Sequence, residues 1–458
     1  MRLISKVVVI LLITISADTY SKSRNSKNEF EQGRVITQMG DILSHRDRVE
    51  PANRILKDRL QNLLPELMRE TNIDMWLVIN REYIEDPVFF SLAPRPTFAA
   101  RRTTILVIHD KGEGKELEKL TVSRYPIAGY YESMWEGGSL ENQWKRLAEI
   151  ITERNPKRIG VNFSKDWPLG DGLTVGLYNQ LTKHLPEELN KRLVSAEDLV
   201  IRWMETRTKQ ELDVYPHIVS LARGVISEAF SNKVITPGVT TTDDVAWYIR
   251  ERFEALQLRP WFQPYVNIQR KGDKADVNSP YLGKAGLVIK PGDVLHTDVG
   301  ICYLNLCTDT QEMGYVLKLG ESDVPKGLKK ALAEGNQWQD ILTSQFKTGR
   351  TGNQILAKTL AKSKKAGLTV STYTHPIGFV GHAAGPTIGM WDNQKDTPIR
   401  GDWKLNKNTA YAIEGNIKAK VSEWDNQWVQ IKLEQSAVFD GKKVYYLAGR
   451  QTQWHVVE

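Results

Sequence analysis

The fold of the C-terminal half is decided by two neighbouring stretches, GDVLHTDVG at residues 292–300 and NLCTDT at residues 305–310. Both are rich in β-branched and apolar residues, which predicts two strands. If the chain reverses around Tyr303 and Leu304, Asp298 and Asp309 lie opposite one another on an antiparallel pair, with Cβ atoms about 5 Å apart. Two carboxylates at that distance repel by about 3 kcal/mol at an effective dielectric of about 20. The pair therefore needs a neutralising group.

More candidate ligands follow in later β-rich stretches, YAIE ending at Glu414 and VQIKLE ending at Glu434. In the second stretch polar and apolar residues alternate, so Glu434 lies on the face opposite the apolar side chains. Such a face is equally well exposed to water, and a lone aspartate in a strand more often faces solvent or caps a turn. His382 stands among small residues in VGHAAGP, where a single histidine is more often structural.

Together these residues form a hard ligand set made mostly of oxygen donors. The set is Asp298, Asp309, His382, Glu414 and Glu434. Four carboxylates and one imidazole suit manganese, iron, cobalt or zinc in a two-metal site. Spacing along the chain does not by itself show that they converge.

The preceding half, residues 46–205, mixes strand and helix patterns. Met75–Ile79 and Thr103–Ile108 are β-rich runs. A helix is predicted to start at Ser139, a favourable N-cap, and to stop before Pro156. Since this half contains no cluster of ligand or nucleophile residues, an α/β domain that serves packing or substrate restriction is predicted.

An internal repeat appears in residues 206–458. The segments GVT at residues 238–240 and GRT at residues 349–351 each open a predicted helix with apolar residues at the same offsets. Thr240 and Thr351 are the predicted N-caps, and Asp243 is predicted to pair with Thr240. Two similar halves are therefore expected.

The first residues form a separate element. Residues 1–17 contain Arg2 and Lys6, an apolar run and a small Ser-Ala pair, which is typical of a signal peptide. A run of that length is too short to span a bilayer as a helix, although an uncleaved anchor is the alternative. Residues 18–45 are polar and are predicted to be a tether. A periplasmic or secreted protein follows, without a membrane partner once the signal is removed.

The distribution of charge bears on the binding partners of the chain. Removal of the signal segment lowers the formal net charge of +7 by two, and the basic residues are scattered without interleaved aromatics. That pattern argues against a nucleic-acid partner.

Cys302 and Cys307 are the only cysteines. A disulfide is the alternative, since both are expected on one hairpin, but we predict buried free thiols, because strand residues that are not directly opposite seldom meet disulfide geometry.

The ligand pattern resembles the pita-bread metallopeptidase family, which includes Xaa-Pro aminopeptidases, prolidases, methionine aminopeptidases and creatinases. It is most similar to the aminopeptidase P and prolidase branch. The resemblance covers about residues 50 to 450 and rests on the ligand set in family order, with Asp298 and Asp309 eleven residues apart. It implies an α/β creatinase-like N-terminal domain and an α+β pita-bread catalytic domain with an internal pseudo-twofold repeat.

The resemblance also implies a role for each ligand. Asp298 would hold one metal, His382 and Glu414 the other, while Asp309 and Glu434 would bridge both. Two divalent ions are implied, manganese first, with cobalt, zinc or iron as alternatives. Glu414 would also carry a proton while a bridging water attacks the scissile carbonyl. A small peptide is the implied substrate, and a homodimer is the assembly common among relatives.

Two histidines that members of the family usually carry are absent from this sequence. Residues 257–290 contain no histidine, and Trp391 or Asp392 stands where another is expected after the ligand histidine. His375, in the segment THP, is either a catalytic replacement or a structural residue. His296 is interpreted as supporting the ligands or packing.

The expected function is therefore an exported dinuclear-metal peptidase that hydrolyses short peptides, with Xaa-Pro bonds as the first candidate. A hydrolase or lyase of small non-peptide molecules on the same scaffold is one alternative. An inactive metal-binding module is another, although the complete ligand set argues against it.

Overall fold

The computed structural model describes residues 41–127, 129–273 and 286–458. The predicted signal peptide, residues 1–17, lies outside the described residues, and so does most of the predicted tether, residues 18–45. Within the described ranges, no helix combines the length and the apolar content that a membrane crossing requires.

The described helices are α1 (Val49–Asp58), α2 (Leu64–Glu70), α3 (Phe89–Leu92), α4 (Leu140–Arg154), α5 (Val175–His184), α6 (Glu187–Asn190), α7 (Glu197–Glu205), α8 (Lys209–Ala229), α9 (Thr242–Ala255), α10 (Lys326–Thr343) and α11 (Gly352–Lys365). A π-helical turn, Arg59–Leu63, joins α1 to α2, and short 3-10 turns lie at Pro168–Gly170 and Ser422–Trp424. The described strands are β1 (Met75–Arg81), β2 (Thr103–His109), β3 (Glu118–Ser123), β4 (Glu132–Ser133), β5 (Ile159–Val161), β6 (Leu193–Ser195), β7 (Arg259–Pro260), β8 (Tyr265–Gln269), β9 (Val294–Val299), β10 (Ile301–Tyr303), β11 (Leu306–Cys307), β12 (Thr310–Val316), β13 (Thr369–Thr372), β14 (His375–Ile377), β15 (Thr409–Val421), β16 (Gln427–Phe439), β17 (Val444–Tyr446) and β18 (His455–Val457).

The N-terminal half is built around a six-stranded mixed sheet in the order β4-β3-β2-β1-β5-β6. β1 and β2 form its antiparallel centre, and nearly all of their side chains are buried. Helix α4 covers one face with Trp144, Leu147 and Ile151. The hydroxyl of Ser139 accepts a hydrogen bond from the backbone N–H of Asn142, so the predicted cap and helix are confirmed.

The C-terminal half consists of a nine-stranded sheet with the main order β13-β15-β16-β12-β9-β8. Helices α8 and α9 pack on one part of it and contribute to one apolar core. Helices α10 and α11 pack on the other part in a second core. The predicted two similar halves are therefore present, each a pair of helices on its share of the strands.

The helix starts of the two halves correspond closely, with one correction. Thr241, not Thr240, caps α9 and forms the capping box with Asp244, not with Asp243. Thr351 caps α11 as predicted. The prediction was one residue early because the first half has an extra residue between its turn glycine and the capping threonine.

The hairpin that joins β9 to β12 also differs from its prediction. Its turn lies at Leu304 and Asn305, which both have positive φ, 51° and 63°. Positive φ at both central residues is the two-residue turn that matches the twist of a hairpin. Asp298 consequently pairs with Gln311, and not with Asp309 as predicted.

The same shift in register corrects the prediction for the cysteines. Cys302 and Cys307 lie directly opposite one another on β10 and β11 and form a disulfide. The prediction of free thiols was wrong because it placed the turn one residue too early. The disulfide closes the tip of the hairpin that carries both predicted aspartate ligands.

Candidate metal centre

The centre is built on a row of residues that crosses five strands of the C-terminal sheet. Tyr265 pairs with Asp298, Asp298 with Gln311, Gln311 with Glu434, and Glu434 with Glu414. Residues directly opposite on paired strands share one face of a sheet. Asp298, Glu434 and Glu414 therefore project from the same face of the sheet. The amide of Gln311 lies between Asp298 and Glu434.

Two further residues reach this line from its side. Asp309 lies two residues before Gln311, and His375 opens β14 two positions from Glu414 through its pairing with Ala412. The Nε2 atom of His375 lies 3.6 Å from Asp309 Oδ2, 3.7 Å from Glu434 Oε1 and 3.8 Å from Glu414 Oε2. The histidine thus faces three of the acids at once.

The donor atoms form three overlapping groups, within each of which all atoms lie within 4.8 Å of one another. The groups are Asp298, Asp309 and Glu434; His375, Glu414 and Glu434; and Asp309, His375 and His382. The structure therefore brings together all five residues predicted as ligands from the sequence. It also brings His375 among them.

The folded protein by itself disfavours the charged forms of these acids. Burial raises the pKa of Asp298 to about 7. Burial and the neighbouring carboxylates raise the pKa values of Asp309 and Glu434 well above their usual range, and the pKa of Glu414 rises for the same reasons. Lys432 is the nearby cation, and burial lowers its pKa to about 8. One lysine does not balance four carboxylates, so the site favours added positive charge.

Unpartnered polar atoms support the same conclusion. Among the described residues, Asp298 Oδ1, Asp309 Oδ1, Glu434 Oε1 and His375 Nε2 are buried and have no hydrogen-bond partner. A buried polar atom without a partner is costly, and all four residues belong to the groups above. Their oxygen and imidazole donors are the types that divalent transition metals bind. The residues present fit such ions.

The two histidines differ in orientation and exposure. His375 is 4% exposed, and its Nδ1 lies 3.0 Å from the carbonyl oxygen of Pro376. Since a carbonyl only accepts, Nδ1 carries the proton and Nε2 presents its lone pair to the acids. The exposed His382 ring stands edge-to-face to His375, with ring centroids 4.7 Å apart. His375 is therefore oriented as a ligand, and His382 lies beside it toward solvent.

Gln311 was missed in the sequence. Its Nε2 donates to Glu414 Oε1 at 2.9 Å and to Glu434 Oε2 at 2.8 Å. Its Oε1 lies 2.9 Å from His296 Nε2. A polar residue two positions after Asp309, on the same strand face, was the available signal.

A cavity of about 590 Å³ opens above the row. Trp261, Phe262, Tyr265, Tyr373 and Trp391 contribute an aromatic part of its lining. The acids form its floor, and His382 also lines it. Such a mixture of apolar walls and a few convergent polar groups is typical of a small-molecule site.

Trp261 is held in place by two glycines. A side chain at Gly300 or Gly381 would overlap the Trp261 ring, and the indole N–H donates to the carbonyl oxygen of Thr308 at 2.9 Å. This packing explains the small residue before His382. It links the hairpin that carries the aspartates to the loop that carries His382.

Residues 217–439 match the sequence profile of metallopeptidase family M24. No curated protein sequence matches the chain. The family match spans the five predicted ligands as well as Gln311 and His375.

Solved structures share the fold over most of the chain. The X-Pro aminopeptidase of Thermotoga maritima MSB8 is 18% identical with a TM-score of 0.61, and the match covers 86% of this chain and 100% of that one. The Xaa-Pro dipeptidase of Bacillus anthracis is 17% identical with a TM-score of 0.58, over 89% and 100%. The prolidase of Pyrococcus horikoshii OT3 is 14% identical with a TM-score of 0.56, over 86% and 98%. The predicted pita-bread fold is confirmed.

Proposed function

We propose that this chain, a metallopeptidase whose residues 217–439 match metallopeptidase family M24, is an exported two-metal enzyme that hydrolyses short peptides. Xaa-Pro bonds are the first substrate class. The observation that carries the proposal is the overlap of the ligand groups, since Glu434 belongs to one group with Asp298 and to another with His375. Overlapping groups suit two adjacent ions that share ligands.

The proposed ligands are Asp298, Asp309, His375, Glu414 and Glu434. This exchanges the roles that the sequence suggested for His375 and His382. The support is that His375 is buried with its Nε2 lone pair toward three acids, whereas His382 is exposed at the cavity. With His375 as the ligand, His382 stands seven residues later, close to where a second family histidine is expected. His382 would then contact the substrate.

The chemistry follows from these positions. Divalent cations held by the ligands would polarise the scissile carbonyl and acidify a water, manganese being the first candidate and cobalt, zinc or iron the alternatives. Glu414 lies at the edge of the row, where a carboxylate can take a proton from the water and return it to the leaving nitrogen. His382, which lines the cavity beside His375, could donate a hydrogen bond to the substrate carbonyl.

The cavity supports a small substrate with an apolar ring. Its volume of about 590 Å³ falls in the range of small-ligand sites. The faces of Trp261, Tyr373 and Trp391 offer flat apolar contacts on which a proline ring can pack.

Export is supported by two observations. The first residues have the composition of a signal peptide, and the disulfide between Cys302 and Cys307 is of a kind that persists mainly in oxidising compartments. We place the enzyme in the periplasm or outside the cell. A homodimer is the proposed assembly, by analogy with relatives.

Peptide cleavage by purified protein tests the function. The chain from Asp18 onward, loaded with Mn²⁺ or Co²⁺, is incubated with Xaa-Pro peptides and matched peptides without proline. Glu414→Gln is the control. Cleavage restricted to Xaa-Pro bonds and lost in the control supports the proposal. A metal-loaded protein that leaves every peptide intact contradicts it and directs the search to small non-peptide substrates.

A further inference from the structure

Gln311 occupies the centre of the row of ligands, between Asp298 on one neighbouring strand and Glu434 on the other. It is 4% exposed. Its two amide hydrogens are directed to Glu414 Oε1 and Glu434 Oε2. One side chain therefore contacts both glutamates of the centre.

These hydrogen bonds divide the oxygens of each glutamate. Glu414 Oε1 and Glu434 Oε2 accept from Gln311. The other oxygens, Glu414 Oε2 and Glu434 Oε1, face His375 Nε2 at 3.8 Å and 3.7 Å. Each carboxylate thus keeps one oxygen on the amide and turns the other toward the donor atoms of the proposed site.

The two carboxylates set the direction of the amide, and His296 binds its oxygen. Gln311 Oε1 can only accept a hydrogen bond, so His296 Nε2, which lies 2.9 Å away, must carry a proton. If the amide were reversed, its oxygen would face two carboxylates with no hydrogen between them. The hydrogen bond from His296 to Oε1 therefore anchors Gln311 in the orientation that points its donor side at the acids.

We infer that Gln311 is a positioning residue of the metal centre, which fixes Glu414 and Glu434 so that one oxygen of each is presented to the metal ions, and that His296 orients Gln311. This inference rests on the proposed function. It assigns to the amide the task of pre-arranging two ligands whose mutual repulsion would otherwise separate them.

Calorimetric titration with Mn²⁺ tests the inference on the metal-free full chain. Gln311→Met keeps the length of the side chain and removes its hydrogen bonds. Gln435→Met is the matched control, because Gln435 is another buried amide on the same sheet that bonds Gln339 and the Gln311 backbone but no ligand. His296→Phe is a third variant. It removes only the group that orients the amide. Thermal unfolding with chelator shows whether each variant folds.

Gln311→Met is expected to weaken Mn²⁺ binding about 10- to 100-fold, as loss of a residue that supports a metal ligand does. His296→Phe should weaken binding less, and Gln435→Met should match the wild type. If Gln311→Met does not fold, the Mn²⁺ affinity of His296→Phe alone tests the inference. The inference is overturned if both site variants bind Mn²⁺ as the wild type does, or if Gln435→Met loses as much affinity. A wild type that binds Mn²⁺ but cleaves no peptide refutes the proposed peptidase and leaves the role of Gln311 standing.

Discussion

The acids of the centre should destabilise the metal-free protein as the pH rises, and Asp298→Asn isolates the effect. Burial raises the pKa of Asp298 from 3.8 to about 7 in the folded protein. A group whose pKa is raised by folding contributes stability below its unfolded pKa and loses it as the pH rises through the folded pKa. At about 1.4 kcal/mol for each pKa unit, the loss for Asp298 is about 4 kcal/mol.

Asparagine does not titrate, so the variant does not lose this stability as the pH rises. Urea unfolding of both metal-free proteins at about pH 4 and about pH 8 gives two differences in the free energy of unfolding. Relative to the wild type, the free energy of unfolding of Asp298→Asn should increase by about 4 kcal/mol between the two conditions. Lys432 loses a partner in the variant, which reduces this difference, whereas the remaining acids lose a repelling neighbour, which increases it. Titrating groups outside the centre are common to both proteins and largely cancel.

Metal should reduce this difference in stability. Mn²⁺ at about 100 times its dissociation constant stabilises the wild type by about 2.7 kcal/mol, and Asp298→Asn should gain much less. The reasoning is refuted if the difference between the two metal-free proteins is the same at both pH values.

Two other changes give independent tests. His375→Ala should lower Mn²⁺ affinity at least tenfold, whereas His382→Ala should keep it and lower kcat/KM, since His375 faces three acids and His382 faces the cavity; equal losses of affinity would contradict the exchange of roles. Removing the disulfide with Cys302→Ser and Cys307→Ser should lower the free energy of unfolding by about 2 kcal/mol, because the bond closes a short loop; thiol alkylation with mass spectrometry checks that the wild type is oxidised.

Local patterns predicted much of the fold. The β-rich runs of β1 and β2 and the cap at Ser139 were predicted correctly because alternation, apolar runs and capping are local properties of the chain. The family pattern predicted the two-halved catalytic domain. The acids on β15 and β16 were recognised, although the sequence left open whether their face was buried.

The errors lie where pairing between distant segments decides. The hairpin turn was placed one residue early because it was centred on Tyr303 and Leu304, although Asn305 is the residue that more readily adopts positive φ. That single shift paired Asp298 with the wrong residue and hid the disulfide. The sequence left His375 open between a catalytic and a structural role, because only its strand pairing beside Glu414 brings it among the acids. Gln311 carries no charge, so its place two residues after Asp309 on the same strand face was its only signal.

The most direct test of the central claim is a metal titration of hydrolysis. Metal-free protein is supplied with increasing Mn²⁺, and cleavage of an Xaa-Pro dipeptide is followed at each step. The overlapping ligand groups predict no cleavage without metal and a rate that reaches its plateau at about two ions for each chain. Full activity of the metal-free protein would contradict the assignment of these acids as the catalytic metal centre.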